Sequence, residues 1–500
     1  MAKGTKNGLA VLIALSVMTF GIHMAYRAEA QSRGRSEAPE RAESPPWRQA
    51  AAPAQPRTVS ETVAVNTGGD AVKLSTVTDR TAVLRDGDGT VHVEVSIETD
   101  GVVATGHIPS DMVVIVDRSG SMQGQKLDYA KQALRGLIAR LQPEDRFALV
   151  EYDNTADVRV PLAHVTYGAR ESFLRSVDQL GVGGGTNMSA GLDLGLDQVI
   201  SQREPNRPAR VLLLSDGLAN EGDFSLSGLT RRARRAVSGE FVLSTMGIGN
   251  DFDENVMTSI ARAGTGAFYY LAKLEALQAF LNAELQTAGE TYAQGAELRF
   301  QPAPGVRVTS ASGAVLEREG ELVRIPVGSL YSGQKQKVWL TLHVPVNDLR
   351  DHELGQLGLD YRRNGRAFEI PGPALPRVAT TVDPSVFRAR IVRPVWERAT
   401  LEADLSAVQE RLGVAIGSGK ASDVDDALSA VPDQRRLARE LGSQTVLDGL
   451  SDLEKRGVQA KQAQAAPAAE RSAAAKRQSA EAFSSARPSA YKNIRSDVGY

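Results

Sequence analysis

The hydrophobic pattern changes its period three times along the chain. From about 62 to 108 apolar and polar residues alternate: Val91, Val93, Val95 and Ile97 interleave with His92, Glu94 and Ser96. A period of two predicts a strand with one apolar face. At Val113-Val114-Ile115-Val116 the alternation gives way to an unbroken apolar run ending in Asp117, the mark of a strand covered on both faces. Leu127, Ala130, Leu134, Leu137, Ile138 and Leu141 then recur at helical spacing on one face. Beyond them the pattern predicts strands over 146–152 and 158–165, helices over 170–180 and 188–201, a strand over 211–215 and a helix over 226–237. It continues with a strand over 241–247, a helix over 254–263, a strand over 267–271 and a closing helix over 274–288. Such alternation predicts an α/β fold, a doubly wound sheet with helices on both faces, and the two consecutive strands at 146–165 predict an antiparallel edge.

From 296 to about 382 the period of two returns, with Val338, Leu340 and Leu342 set against Trp339, Thr341 and His343, and Gly and Pro punctuating the runs. This predicts an antiparallel β-sandwich. The strands at 62–108 have no partner before the α/β domain begins, so the economical arrangement is one sandwich interrupted by that domain. Residues 384–456 turn amphipathic and helical, with helices expected over 396–405, 408–412, 422–431, 434–441 and 446–455, packed on the sandwich. Past 457 the chain is Ala, Gln, Lys, Arg and Ser with no apolar face, which predicts disorder or a marginal lone helix. The expected division is therefore 1–30, 31–57, 58–108, 109–290, 291–383, 384–456 and 457–500.

The N-terminus adds a destination. Lys3 and Lys6 precede an apolar run from Leu9 to Phe20, and Ala28-Glu29-Ala30 offers a small-x-small cleavage site before Gln31. This is the layout of a secretory signal peptide; an uncleaved anchor is the competing reading, and His23 weakens it. Both place the remainder outside the cytoplasm: periplasmic, cell-surface or secreted. Residues 31–57, rich in Pro, Ala, Arg, Glu and Ser, read as a spacer. A net charge of -2 argues against a nucleic-acid partner. The absence of cysteine removes disulfides and thiolate chemistry.

Candidate chemistry gathers where the first buried strand ends. Asp117, Ser119 and Ser121 stand in Asp117-Arg118-Ser119-Gly120-Ser121-Met122, just before a helix, the place where open α/β sheets bind ligands. Their oxygens are hard, which favours Mg²⁺, Mn²⁺ or Ca²⁺ over zinc. The run resembles the DxSxS signature of von Willebrand factor type A (VWA) domains, where it forms a metal-ion-dependent adhesion site (MIDAS). Two further pieces resemble that family in order: Thr186 in Gly183-Gly184-Gly185-Thr186-Asn187, and Asp216 at the end of Val211-Leu212-Leu213-Leu214-Ser215. Met246-Gly247-Ile248-Gly249 and the stretch 263–270 are similar to its last two strands, so the resemblance covers roughly 108–290. The style of these strands is similar to bacterial relatives of inter-α-trypsin inhibitor heavy chains and chloride-channel regulators. The resemblance implies a Rossmann-like VWA domain inserted in or flanked by the sandwich. It also implies a metal approached by Ser119, Ser121 and Thr186, with Asp117 and Asp216 bound directly or through water, and a partner protein whose Asp or Glu completes the shell.

Other motifs fall away on inspection. Asp86-Gly87-Asp88-Gly89 could open a calcium loop, but the twelfth position is Ile97 where a bidentate Glu is required; an Asp-Gly hairpin turn is expected instead. His352-Glu353-Leu354-Gly355-Gln356 lacks the second histidine of a zinc protease, and Gly417-Ser418-Gly419-Lys420-Ala421 lacks the first glycine and the Ser/Thr of a P-loop. Asp153, Asp157, Glu221 and Asp223 read as solvated loop residues first and as groups rimming the site second. The chain is thus expected to bind rather than catalyse. The competing readings are an envelope scaffold acting through its C-terminal helices and, more weakly, a metal-dependent phosphohydrolase. Against the last, Ser119 stands where that class carries a second aspartate.

Overall fold

Six strands form the sheet at the centre of the molecule, and the apolar run Val113–Val116 lies in its middle. The structure is a computed structural model and describes residues 62–67, 70–101, 106–249, 251–271, 273–418, 420–464, 466–467, 470–471 and 473–477. The expected signal segment at 1–30, the spacer at 31–57 and the chain after 477 lie outside these residues. Among the described residues no helix is long and apolar enough to cross a membrane.

The central sheet runs Thr265–Leu271, Val242–Ile248, Ala209–Ser215, Asp111–Asp117, Arg146–Tyr152, Ala156–His164. All neighbours are parallel except the last pair, as the missing helix between 152 and 156 requires. The strand Asp111–Asp117 is buried along its whole length because helices cover both faces. Met112, Val114 and Val116 pack with Leu134, Leu137 and Ile138 of the helix Gln125–Arg140. Val113 and Ile115 pack with Leu192, Leu196 and Val199 of the helix Met188–Ile200. The latter helix lies close on the sheet through two glycines. A Cβ on Gly191 would stand 2.8 Å from the Tyr152 ring, and one on Gly195 would land on the Ile115 side chain. Gly195→Val is therefore expected to destabilise the domain by about 1–3 kcal/mol through overpacking, read as a fall in the denaturant midpoint.

Two sheets form the sandwich. One runs Thr62–Thr67, Asp70–Thr78, Thr90–Thr99, Lys335–His343, Arg307–Ala311; the other Glu317–Glu319, Leu322–Tyr331, Thr291–Pro302, Gly355–Arg363, Arg366–Pro371. The segment before the α/β domain thus pairs with the segment after it: Val91, Val93 and Val95 sit opposite Leu342, Leu340 and Val338. Their apolar faces share one core with Leu298, Phe300, Ile325 and Leu359 of the second sheet. The α/β domain interrupts this sandwich in sequence. The two meet at the N-terminal ends of the central strands, where the Arg210 guanidinium donates to the Tyr331 hydroxyl at 2.9 Å and lies 3.7 Å from the buried Glu284 carboxylate. The C-terminal ends of the same strands are left to the candidate site.

Two local expectations change, at 86–89 and after 457, and the packing of helices on the sandwich has a consequence for the polar side of one strand. The turn at 86–89 has its two positive φ angles, at Asp86 and Gly89, but it is not a hairpin. The strand before it, Ala82–Leu84, pairs with Val378–Thr381, and the strand after it joins a different sheet. The polar side of Thr90–Thr99 is not solvated: His92, Glu94 and Ser96 are all buried, because the C-terminal helices cover them. Arg398 donates to Glu94 at 2.9 Å, the Trp339 indole N–H to Glu402 at 3.0 Å, and the His92 ring meets Asp404 at 3.1 Å. Finally, the last long helix is Gln444–Gln464 and does not stop near 457. Ala460 and, further on, Ala475 are buried in the core of the helical region, small residues that mark no apolar stripe in the sequence.

Candidate metal centre

The strand order of the central sheet reverses between Asp111–Asp117 and Ala209–Ser215, which are neighbours in space although other strands separate them in sequence. A crevice opens at such a point, beyond the strands' C-terminal ends. Asp117 and Asp216 stand at those ends, both fully buried. The 3-10 turn Gly120–Met122 presents Ser119 and Ser121 from one side, and the glycine loop presents Thr186 from the other. The loops are fastened to each other through backbone: Gly120 N–H donates to Gly184 O at 2.9 Å, Gly183 N–H to Arg118 O at 2.6 Å, and Asn220 N–H to Thr186 O at 3.1 Å.

The side chains converge. The Ser119 and Ser121 hydroxyl oxygens lie 3.0 Å apart, and Ser121 donates to Asp216 Oδ1 at 2.7 Å. Gly217 forms the floor between them: a Cβ placed there would lie 3.1 Å from Ser121 Oγ, 3.7 Å from Thr186 Oγ1 and 3.9 Å from Ser119 Oγ. Three hydroxyl oxygens therefore lie within 4 Å of one point, beside a buried carboxylate. This donor set, all hard oxygen, suits Mg²⁺, Mn²⁺ or Ca²⁺.

Asp117 plays a different part from Asp216. Its Oδ1 accepts the Ser119 N–H at 2.8 Å, and its Oδ2 accepts the Ser215 hydroxyl at 2.7 Å and the Tyr152 hydroxyl at 3.3 Å. Both oxygens are thus engaged, and the carboxylate stands behind Ser119, setting that loop. Burial pushes its carboxyl above the usual carboxylate range and the charge of Asp216 adds to this, against the hydrogen bonds from Ser119 and Ser215. Burial and the Asp117 charge push the Tyr152 phenol well above its ordinary value, so it is a neutral donor.

Of the rim residues, Asp153 departs from expectation. It is buried, its Oδ2 meets the Arg118 guanidinium at 2.8 Å, and its carbonyl accepts the Asn187 N–H at 2.6 Å. It positions the threonine loop and is not solvated. Asp157 and Glu221 are exposed. Asp223 is held down to about 2 by the Ser225 hydroxyl and by Arg232, and is committed to the start of the helix Leu226–Ala233. His352 is buried and paired with the Thr380 hydroxyl at 3.2 Å. Sequence reasoning missed Lys126, Ser215, Tyr152 and Asn220. Ser215 and Tyr152 each end a buried strand beside Asp117, a position that strand pairing marks in the sequence; Lys126 carries no such mark.

The domain is thus a doubly wound α/β fold with oxygen-bearing side chains gathered at its switch point. Residues 111–283 match the family model of the von Willebrand factor type A domain, and the chain therefore contains a domain of that family. It is 26% identical over 267 residues to an uncharacterized protein of Synechocystis, an alignment spanning 51% of this chain and 62% of that one. It is 30% identical to YfbK of Escherichia coli, over 39% of this chain and 34% of that one, and 30% identical to inter-alpha-trypsin inhibitor heavy chain H1 of Mesocricetus auratus, over 32% and 18%. The chain thus spans less than two thirds of the length of these relatives. Among solved structures it is similar in fold to a von Willebrand factor type A protein of Catenulispora acidiphila, with a TM-score of 0.59 at 20% identity over 79% of this chain and 92% of that one. VWA domains commonly mediate protein–protein interaction.

Proposed function

We propose that this chain is an exported, adhesion-type VWA protein that grips a partner protein through a divalent cation, an Asp or Glu of the partner completing the metal shell. The observation that supports this is the convergence of the Ser119, Ser121 and Thr186 hydroxyls around Gly217, beside the buried Asp216. The N-terminal layout of Lys3, Lys6, the apolar run and Ala28-Glu29-Ala30 supports export. Ser119, Ser121 and Thr186 would hold Mg²⁺, Mn²⁺ or Ca²⁺ by their hydroxyls, and Asp216 and Asp117 directly or through water. The ion supplies an electrophilic centre that welcomes a carboxylate. The protein's own part is to keep that centre under-neutralised: neutral hydroxyls outnumber carboxylates, and Asp117 spends both its oxygens on Ser119, Ser215 and Tyr152. The glycine loop brings Thr186 in closely, since side chains at 183 and 184 would collide with Asp153 and Asn154.

Isothermal calorimetry of Mg²⁺ and Mn²⁺ into metal-stripped protein tests this reading, with and without acetate as a stand-in for the partner's carboxylate. One saturable site is expected, lost in Asp117→Ala and in Asp216→Ala. Asp117→Ala removes the acceptor of the Ser119 N–H and the nearer acceptor of the Ser215 and Tyr152 hydroxyls and is expected to cost about 1–3 kcal/mol, so its folding is checked by circular dichroism. Absence of binding at millimolar ion, with acetate present, would overturn the metal reading and leave the C-terminal helices as the surface to pursue.

A further inference from the structure

Asp216 is not free to face an incoming cation. Its Oδ1 accepts from Ser121, and its Oδ2 lies 2.6 Å from the ammonium of Lys126. Lys126 sits in the first turn of the helix Gln125–Arg140. Its side chain is about a quarter exposed, whereas the Asp216 carboxylate is fully enclosed. A second carboxylate, that of Asp251 in the loop after Val242–Ile248, lies 3.8 Å from the same ammonium and is three-quarters exposed. The stem passes close to that loop, 3.4 Å from where a Cβ of Gly249 would stand. Lys126 thus stands between two carboxylates, one a candidate metal ligand and one outside the site.

We propose that Lys126 is a resident cation of this site, which weakens the hold on the divalent ion so that firm occupancy requires the partner's carboxylate. This rests on the metal reading above. The physical reason is charge. Two buried carboxylates would offer a divalent ion a site of matching charge; with the ammonium 2.6 Å from one of them, the ion meets a site one charge short. Like charges a few ångströms apart in a partly enclosed crevice repel strongly, whether the ammonium stays on Asp216 or swings to Asp251. A carboxylate arriving from outside restores the balance, so metal and acidic ligand bind cooperatively. An isolated ion is held loosely, and the site discriminates for acidic surfaces.

The test is calorimetric titration of Mn²⁺ into the metal-stripped full chain: wild type, Lys126→Met and Lys126→Arg, each with and without acetate. Lys126→Met is expected to bind Mn²⁺ about tenfold or more tightly than wild type, and Lys126→Arg, which keeps the charge, to stay near it. Acetate is expected to tighten Mn²⁺ binding more in wild type than in Lys126→Met. Equal affinity in wild type and Lys126→Met overturns the inference while leaving the metal reading standing. Weaker binding in Lys126→Met overturns it too, and makes Lys126 an organiser of Asp216. No Mn²⁺ binding by any of the three removes the metal reading and this inference with it. Lys126→Met takes the ammonium from the buried Asp216 carboxylate, so thermal melting of each variant checks the fold beside the titration.

Discussion

Gly217→Ala is expected to lower divalent-ion affinity by on the order of a hundredfold while leaving the fold in place. Gly217 follows Asp216 in the sequence, and it does not use a left-handed backbone, so alanine meets no conformational penalty there. The added methyl would touch Ser121 Oγ at 3.1 Å, which a shift of a few tenths of an ångström relieves, and would meet Thr186 Oγ1 and Ser119 Oγ at ordinary contact distances. The stability change is expected to be under about 1 kcal/mol. Yet the methyl stands among the three hydroxyls that would ligate the ion, and a site that must accept six oxygens at short distances has no room for it. The variant removes no ligand and no charge, so it separates a metal cradle from a mere polar crevice. Calorimetry of Mn²⁺ beside a melting curve gives both readouts; undiminished Mn²⁺ binding would place the ion elsewhere.

The candidate site was legible where chemistry coincides with a change of element. Asp117 and Asp216 each end an apolar run, and Thr186 follows three glycines; a buried strand and a bare loop both leave marks in the sequence. The interrupted sandwich was legible because a period of two on both sides of the α/β domain had to find partners. What escaped notice depends on the third dimension. Lys126 reads as one more helix-surface lysine until Asp216, ninety positions on, is brought to it. Asp153 reads as a loop acid until Arg118 folds over it. The strand Thr90–Thr99 shows one apolar and one polar face, and polarity alone cannot distinguish water from a covering layer of charged helices. The turn at 86–89 has the residues of a hairpin, but the choice of sheet on either side is made by Val378–Thr381, far along the chain.

That covering layer supplies the second large effect. Asp79→Ala is expected to cost about 3–5 kcal/mol, the cost of breaking a buried ion pair from one side. The Asp79 carboxylate is fully buried. It accepts from Arg80 Nε and Nη2 at 2.9 and 2.8 Å, from the His92 N–H at 2.9 Å, and meets His92 Nδ1 at 3.1 Å. The other ring nitrogen of His92 meets Asp404 in the helical region at 3.1 Å, and Arg80 lies over the Phe387 ring at 5.7 Å. Burial opposes charge on His92, but Asp79 and Asp404 outweigh it and raise the imidazole to about 10. Burial likewise opposes charge on Asp79, and Arg80 with His92 outweighs it, lowering the carboxyl to about 2. For His92 the folded value is raised, so its contribution is complete below the unfolded value of about 6.5 and is lost as pH rises through about 10. For Asp79 the folded value is lowered, so its contribution is present above about 3.8 and is lost as pH falls through about 2. Unfolding free energy is therefore expected to decline between about pH 6.5 and 10 with a slope near 1.4 kcal/mol per pH unit from His92 alone. In His92→Gln that slope should flatten, because glutamine carries no proton to lose. Urea titrations at pH 6, 8 and 9.5, as roughly spaced points across this window, measure it. Hydrogen exchange in Arg393–Ala399 and Leu405–Ser418 locates it, because His92 and Arg80 join the helical region to the sandwich. A wild-type stability that does not change across this window, or the same slope in His92→Gln, would mean that His92 is neutral in the folded protein and that the helices are held by their other contacts, Arg398 with Glu94 and Trp339 with Glu402 among them.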